Sequence, residues 1–147
     1  MKLTLQVFSK IRLAVIRLPP KHAIPDWILR PLESSPTTSS IFLSITRTHD
    51  ELSVVCPESL VTQGNNDNFT EQEIEKGWVA FKVCGPLDFG LTGILAGLAT
   101  PIAAEGISIF AISTYDTDYI LVKEDKAGEA SKVFEKLGHT VAVDLSE

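Results

Sequence analysis

The chain has 147 residues, 44% of them hydrophobic, and a formal net charge of −6, with 13 Lys and Arg against 19 Asp and Glu. That length suits one domain or two small ones with a real core. The acidic balance argues against a nucleic-acid-binding surface, which needs clustered cations to displace counterions from phosphate.

Charge is unevenly spread: residues 1–31 carry Lys2, Lys10, Arg12, Arg17, Lys21 and Arg30 against Asp26 alone. We read this as the basic edge of a sheet rather than a targeting or membrane signal. Lys10, Arg12 and Arg17 interrupt the N-terminal apolar residues, and no apolar run reaches the roughly 20 residues that cross a bilayer. The expectation is a cytoplasmic protein without membrane contact. Cys56 and Cys84 each end an apolar run and are expected to be reduced, largely buried thiols.

Lys2 to Val7 alternates polar and apolar residues and reads as a strand; Ser9 and Lys10 turn the chain into a second, Ile11 to Leu18. Pro19-Pro20 ends it. A short helix is expected from Asp26 to Leu32, followed by a loop from Ser34 to Ser40. Ile41 to Thr46 and Leu52 to Cys56 form a first hairpin. Gln63 to Asn68 has turn composition, and Thr70 with Glu73 makes a capping box for a short helix through Lys76.

Trp78 to Cys84 opens a second series. Pro86 and Asp88 mark a helix start, because a short acidic side chain accepts the free N–H groups there. Leu91, Ile94, Leu95, Leu98 and Ile102 recur at helical spacing, and Pro101 with Gly106 is expected to close the helix. Ile107 to Ser113 and Tyr119 to Val122 are strands around the polar turn Asp116-Thr117-Asp118. Ala127, Ala130, Phe134 and Leu137 fall on a helix that Gly138 ends, and Thr140 to Leu145 gives a last strand. Residues 78–145 therefore read β-α-β-β-α-β, the α+β, ferredoxin-like order with an antiparallel sheet and both helices on one face.

The chain also matches itself. Ile45 to Val54 can be laid on Ser113 to Val122, which sets Thr46 on Thr114 and Asp50 on Asp118, and Leu13 to Pro19 precedes Trp27-Ile28-Leu29 as Ala80 to Pro86 precedes Ile94-Leu95. We divide the chain into a first unit, residues 1–62, with a reduced second helix, a connecting segment, 63–76, and a second unit, 77–147.

Paired units of this kind, with Gly85-Pro86-Leu87-Asp88-Phe89 at a helix start and the hairpins Ser44 to Glu58 and Ile112 to Val122, resemble the ACT domain family. The likeness is to short stand-alone tandem-ACT proteins similar to the regulatory regions of aspartate kinases and to the animal cytosolic arginine sensor. It covers most of the chain, excepting residues 32–40 and 60–76.

The resemblance implies a non-catalytic regulatory or sensor module that forms a homo-oligomer, whose amino-acid ligand is held between ACT units and whose regulated protein is a separate chain. The implied ligand contacts are Leu87, Asp88, Phe89 and Gly90 on one side and Ser113, Thr114, Tyr115 and Asp118 on the other. Free N–H groups at a helix start suit an α-carboxylate, and an acidic residue suits an α-ammonium. Asp118 is assigned the ammonium. Asp88 stands equally well as a plain helix cap, since its carboxylate would repel that of the ligand, and Asp118 has the alternative of capping its own turn. Thr46, His49 and Asp50 occupy the matching turn of the first unit, where a scaffold role is expected.

Other signals carry less. Asp88-Phe89-Gly90 spells the kinase magnesium motif without the rest of a kinase, and Gly90, Gly93 and Gly97 lack dinucleotide spacing. We assign these glycines to close packing of the helix. His22, His49 and His139 with the two cysteines show no metal-ligand spacing, so no metal and no cofactor are expected. Asp116 with Asp118 as a catalytic pair is the weakest reading, behind a module of the same fold that serves only structure and oligomerisation.

Overall fold

The computed structural model describes residues 2–29, 42–63, 73–85 and 92–143. The chain divides into two compact units, one of Met1–Lys10 with Trp78–Glu147 and the other of Ile11–Gly77. The N-terminal strand thus belongs with the C-terminal unit, whereas the sequence reading kept residues 1–62 together.

The reason lies in β1 (Thr4–Val7), which pairs antiparallel with β5 (Ile74–Val83), Leu5 opposite Val83, and parallel with β8 (Thr140–Val143), Leu5 opposite Val141. Each strand edge satisfies its backbone groups on a neighbour, so β1 is held on both sides. β5 also pairs with β7 (Asp118–Lys123), and β7 with β6 (Phe110–Ser113), both antiparallel. The strands of this unit therefore run β6-β7-β5-β1-β8. The β-α-β-β-α-β order is present as β5, α2 (Ile94–Ala104), β6, β7, α3 (Ala127–Lys136) and β8, with β1 as an inserted fifth strand and one parallel pair in the sheet.

Period-two alternation puts Leu5, Val7, Val79, Phe81, Val83, Ile120 and Val122 on the helix side, where they pack with Leu98 and Ile102 of α2 and Ala130 and Phe134 of α3. Phe81 meets Phe134 edge-on at 5.4 Å between ring centroids. Both helices stop in the same way. Gly106 at φ 75 donates to the Ala103 carbonyl while Ile107 donates to that of Ile102; Gly138 at φ 96 donates to Glu135 while His139 donates to Phe134. This double bond at a left-handed glycine satisfies two orphan carbonyls of each helix end.

Pro101, expected to end α2, lies inside it. Its ring removes only the donor that would meet Gly97, and helix continues for three residues to the glycine stop at Gly106. The start also differs: α2 begins at Ile94, with Gly93 at φ 77 as the residue before it, whereas Pro86 and Asp88, which mark the start in the sequence reading, lie outside the described residues.

The other unit holds β2 (Leu13–Leu18), β3 (Ser44–Arg47), β4 (Leu52–Pro57) and α1 (Glu58–Gln63). β4 pairs antiparallel with both β2 and β3. Ala14, Ile16, Leu18, Ile28, Leu52, Val54, Cys56 and Val61 form its core, with Ile28 supplied by a helical turn at residues 26–29. The short helix expected through Lys76 does not extend that far, because Ile74 onward belongs to β5. Thr70, the other half of that capping box, lies outside the described residues. Gly77, at φ 81 within β5, donates its N–H to Glu58 Oε2 at 2.9 Å.

The two hairpins repeat one turn. Thr48 N–H donates to the Glu51 carbonyl at 2.8 Å, and Thr114 N–H to the Thr117 carbonyl at 2.8 Å. In each, the threonine hydroxyl also accepts from the backbone N–H three residues on. Ser44–Arg47 and Leu52–Pro57 thus answer to Phe110–Ser113 and Asp118–Lys123. The equivalent of Thr114 is Thr48, not Thr46, and Asp118 answers to Leu52, two positions from the register read in the sequence.

Candidate functional site

The β6–β7 turn is built by its own side chains. Ser113 and Asp118 face each other across the ladder, and the Ser113 hydroxyl donates to Asp118 Oδ1 at 2.7 Å. Beyond them Thr114 Oγ1 donates to the Thr117 carbonyl at 3.0 Å. A threonine closing its own turn this way holds the loop without help from a ligand.

Thr117 ties the turn to the next strand. Its side chain is buried, 4% exposed, and its Oγ1 donates to the carbonyl of Val83 at 2.5 Å. Val83 is the last residue of β5, and the chain runs from there through Cys84 and Gly85 into residues 86–91. The hairpin carrying Asp118 is therefore fixed against the strand that leads to the other proposed contacts. Sequence reasoning passed over Thr117; its signal was a β-branched hydroxyl between two aspartates, a polar residue suited to a buried turn.

Of the residues assigned to a site, Ser113, Thr114, Tyr115 and Asp118 share this one turn, with Tyr115 81% exposed. Leu87, Asp88, Phe89 and Gly90 lie outside the described residues.

Where the chain becomes described again, at Thr92, a cavity of about 290 Å³ opens beside the start of α2, lined by Thr92, Gly93, Ile94, Gly97, Leu137 and His139 among others. Among the described residues no side chain caps the α2 N-terminus, and its first N–H groups carry partial positive charge toward an acceptor. On the far wall, His139 Nδ1 accepts from the Leu3 N–H at 3.1 Å, which puts the proton of the neutral ring on Nε2. Burial, then the positive charges of the chain N-terminus and of Lys2, hold the His139 pKa below its ordinary value.

The glycines lining this cavity are not there for close packing. A Cβ at Gly93 or Gly97 would meet nothing within 4 Å. Gly93 is explained by its positive φ, and Gly97 by neither packing nor backbone.

The cysteines differ from expectation. Both are free, Cys56 is buried and its thiol pushed up to about 12 by burial, but Cys84 is exposed at the end of β5. Among the described residues no group of His, Cys, Asp and Glu could hold a metal ion, and no helix is long and apolar enough to cross a membrane.

A family model of the ACT domain matches residues 73–136, and a second, of an N-terminal domain, matches residues 12–64. The cytosolic arginine sensor for mTORC1 subunit 1 of Homo sapiens is 32% identical over 105 residues, which are 70% of this chain and 32% of that protein. The chain thus spans about a third of the length of the curated relatives it matches. A crystal structure of an Agobacterium tumefaciens protein superposes with a TM-score of 0.77 at 29% identity, covering 98% of this chain and 95% of that one. Aspartate kinase from Synechocystis superposes at 0.65 and 17% identity, over 99% of this chain and 28% of the kinase, a likeness of fold. Residues 73–136 thus match the ACT domain, in an α+β chain whose structural neighbours include a regulatory subunit of aspartate kinase.

Proposed function

We propose that the chain is a non-catalytic regulatory module that binds a free amino acid and reports it to a separate protein. The ligand's ammonium is met by Asp118, with Ser113, Thr114 and Tyr115 around it, and its carboxylate by the backbone at Leu87, Asp88, Phe89 and Gly90. The chemistry supports this division. Ser113 occupies Asp118 Oδ1 and leaves Oδ2 as an acceptor for a cation, while residues 87–90 lead toward the start of α2 at Ile94, where the first helical N–H groups favour a carboxylate.

The observation that carries the reading is the Thr117–Val83 bond, which fixes the aspartate-bearing turn beside the strand leading into residues 87–90. The likeness to an arginine sensor supports an amino acid as the ligand class. The matched turns at Thr48 and Thr114 support a duplicated unit, with the first hairpin as scaffold: Arg47 there donates to the carbonyls of Pro20 and His22, which ties it to the chain after β2.

Calorimetric titration with each of the twenty amino acids tests the reading. One or a few are expected to bind, and Asp118→Asn to weaken that binding by about tenfold or more, the cost of losing a charge-assisted contact. No heat at millimolar ligand, or an Asp118→Asn chain that binds as the wild type does, overturns it.

A further inference from the structure

The cavity of about 290 Å³ beside α2 is lined from a single unit of the chain and has no part in the amino-acid reading. It has the liquid volume of about ten waters, room for a body of about seven heavy atoms. Much of its wall is aliphatic: Leu3 before β1, Ile94 and Leu98 of α2, and Leu137 after α3. Leu137 keeps 45% of its surface open, so the wall is apolar out to its edge. Gly97 lies in the same wall, inside α2, where a Cβ would meet nothing within 4 Å. Neither packing nor backbone asks for glycine there; its effect is to leave the hollow unfilled. Glycine inside a helix costs about 1 kcal/mol relative to alanine, which an occupant of the hollow offsets.

The polar groups of the wall select the occupant. His139 is held from two sides: Nδ1 accepts from the Leu3 N–H at 3.1 Å, and the ring stands edge-on to Phe134 at 6.5 Å between centroids. Its remaining polar atom, Nε2–H, has no partner among the described residues. Thr92 adds a hydroxyl to the same wall. Among the described lining residues none is acidic, and the nearest charge is positive: Lys2 Nζ lies 2.6 Å from where a Cβ on Gly138 would stand, one residue from the ring. The charges of Lys2 and of the chain N-terminus are both felt at the imidazole. A fixed N–H donor and a hydroxyl in a positive field suit a carboxylate, whereas an ammonium would find no acidic partner.

We propose that this cavity is a small-molecule site, separate from the one at Asp118, for a monocarboxylate with a compact aliphatic body. The chain of the acid packs on Leu3, Ile94, Leu98 and Leu137 over the gap that Gly97 leaves, and its carboxylate accepts from His139 Nε2 and the Thr92 hydroxyl. This goes beyond the amino-acid reading and does not rest on it, since an amino acid brings an ammonium that these walls do not receive.

Titration of the full chain with isovalerate, followed by amide NMR, tests it. Saturable shifts are expected at Thr92, Gly93, Gly97, Leu137 and His139, with the turn at residues 114–118 unmoved. Isoamylamine, of the same shape and opposite charge, is expected to shift none of them. Gly97→Leu adds bulk into open space and favours helix, so it is expected to fold and to abolish binding. His139→Asn keeps an acceptor for Leu3 and loses the Nε2 donor, with an expected loss of about tenfold in affinity. Should that variant fail to fold, Lys2→Gln, at an exposed position, is expected to weaken binding about threefold and to reduce its salt dependence. No saturation at millimolar isovalerate, equal binding of the amine, or unchanged binding by Gly97→Leu overturns the proposal, as do shifts confined to residues 114–118. Amino-acid affinity, read by calorimetry on the same samples, reports separately on the site at Asp118.

Discussion

The Thr117 hydroxyl and the Val83 carbonyl, 34 residues apart in the chain, meet at 2.5 Å inside the ACT unit. Val83 lies at the end of β5 and Thr117 in the turn between β6 and β7, so one bond holds the turn to the strand that precedes residues 86–91. Thr117→Val keeps the shape of the side chain and removes the donor. The Val83 carbonyl is then buried without this partner, which costs about 1–3 kcal/mol. Urea denaturation is expected to show that loss, and amide exchange to show faster opening of residues 114–118. An unchanged midpoint would mean that water replaces the hydroxyl.

Cys56 and Cys84 should react very differently. Cys56 is fully buried in the core with Ala14, Leu52 and Val54, and its thiol is held protonated by burial; Cys84 is exposed at the end of β5. The thiolate is the reactive species, so access and ionisation both favour Cys84. One thiol per chain is expected to react quickly with a disulfide reagent in the native state, and the second only on unfolding. Mass spectrometry after brief labelling identifies the site, and label on Cys56 in folded protein would contradict the burial seen here.

Much of the fold was legible in the sequence, because strands and helices announce themselves by period and by stop signals. Gly106 and Gly138 read as helix ends and are helix ends, each at positive φ. The placement of β1 was not legible, since a four-residue strand with alternating burial says that it pairs but not with which neighbours. Pro101 misled for a related reason: proline removes one donor, and whether helix continues depends on Ile102 finding a core, which is a tertiary fact. At the proposed site, Ser113, Thr114 and Asp118 were named from the family resemblance, and in the structure they share one turn. Thr117 was missed because its partner is a backbone carbonyl on another strand, and no local pattern records that.

Gly138 and Gly97 should respond to alanine in opposite directions. Gly138 has φ 96, and a Cβ there would stand 2.6 Å from Lys2 Nζ. The flexible lysine can move, but the left-handed backbone cannot accept a side chain without strain, so Gly138→Ala is expected to cost about 1 kcal/mol or more. Gly97 is helical with open space where a Cβ would sit. Gly97→Ala should stabilise the isolated fold by up to about 1 kcal/mol through helix propensity. Paired thermal melts of the two variants on either side of the wild type check both signs.

His139 gives the chain a pH dependence whose direction follows from one hydrogen bond. Nδ1 accepts from Leu3 N–H, and the Thr140 N–H donates to the Leu3 carbonyl at 2.9 Å, so the neutral imidazole helps hold the start of β1 against β8. Protonating Nδ1 turns an acceptor into a donor facing a donor. Burial, the chain N-terminus and Lys2 all disfavour the charged ring, so the folded pKa lies below the unfolded value of about 6.5. The unfolded chain takes up the proton first. This contribution to stability is therefore fully present above about pH 6.5 and is lost as pH falls through the folded pKa. His139→Asn, whose side-chain oxygen accepts from Leu3 without titrating, should flatten the curve in that window, and Lys2→Gln should raise the His139 pKa followed by NMR. A wild-type stability that rises on acidification between pH 7 and 5, roughly the range of histidine titration, would show that Nδ1 is not the acceptor.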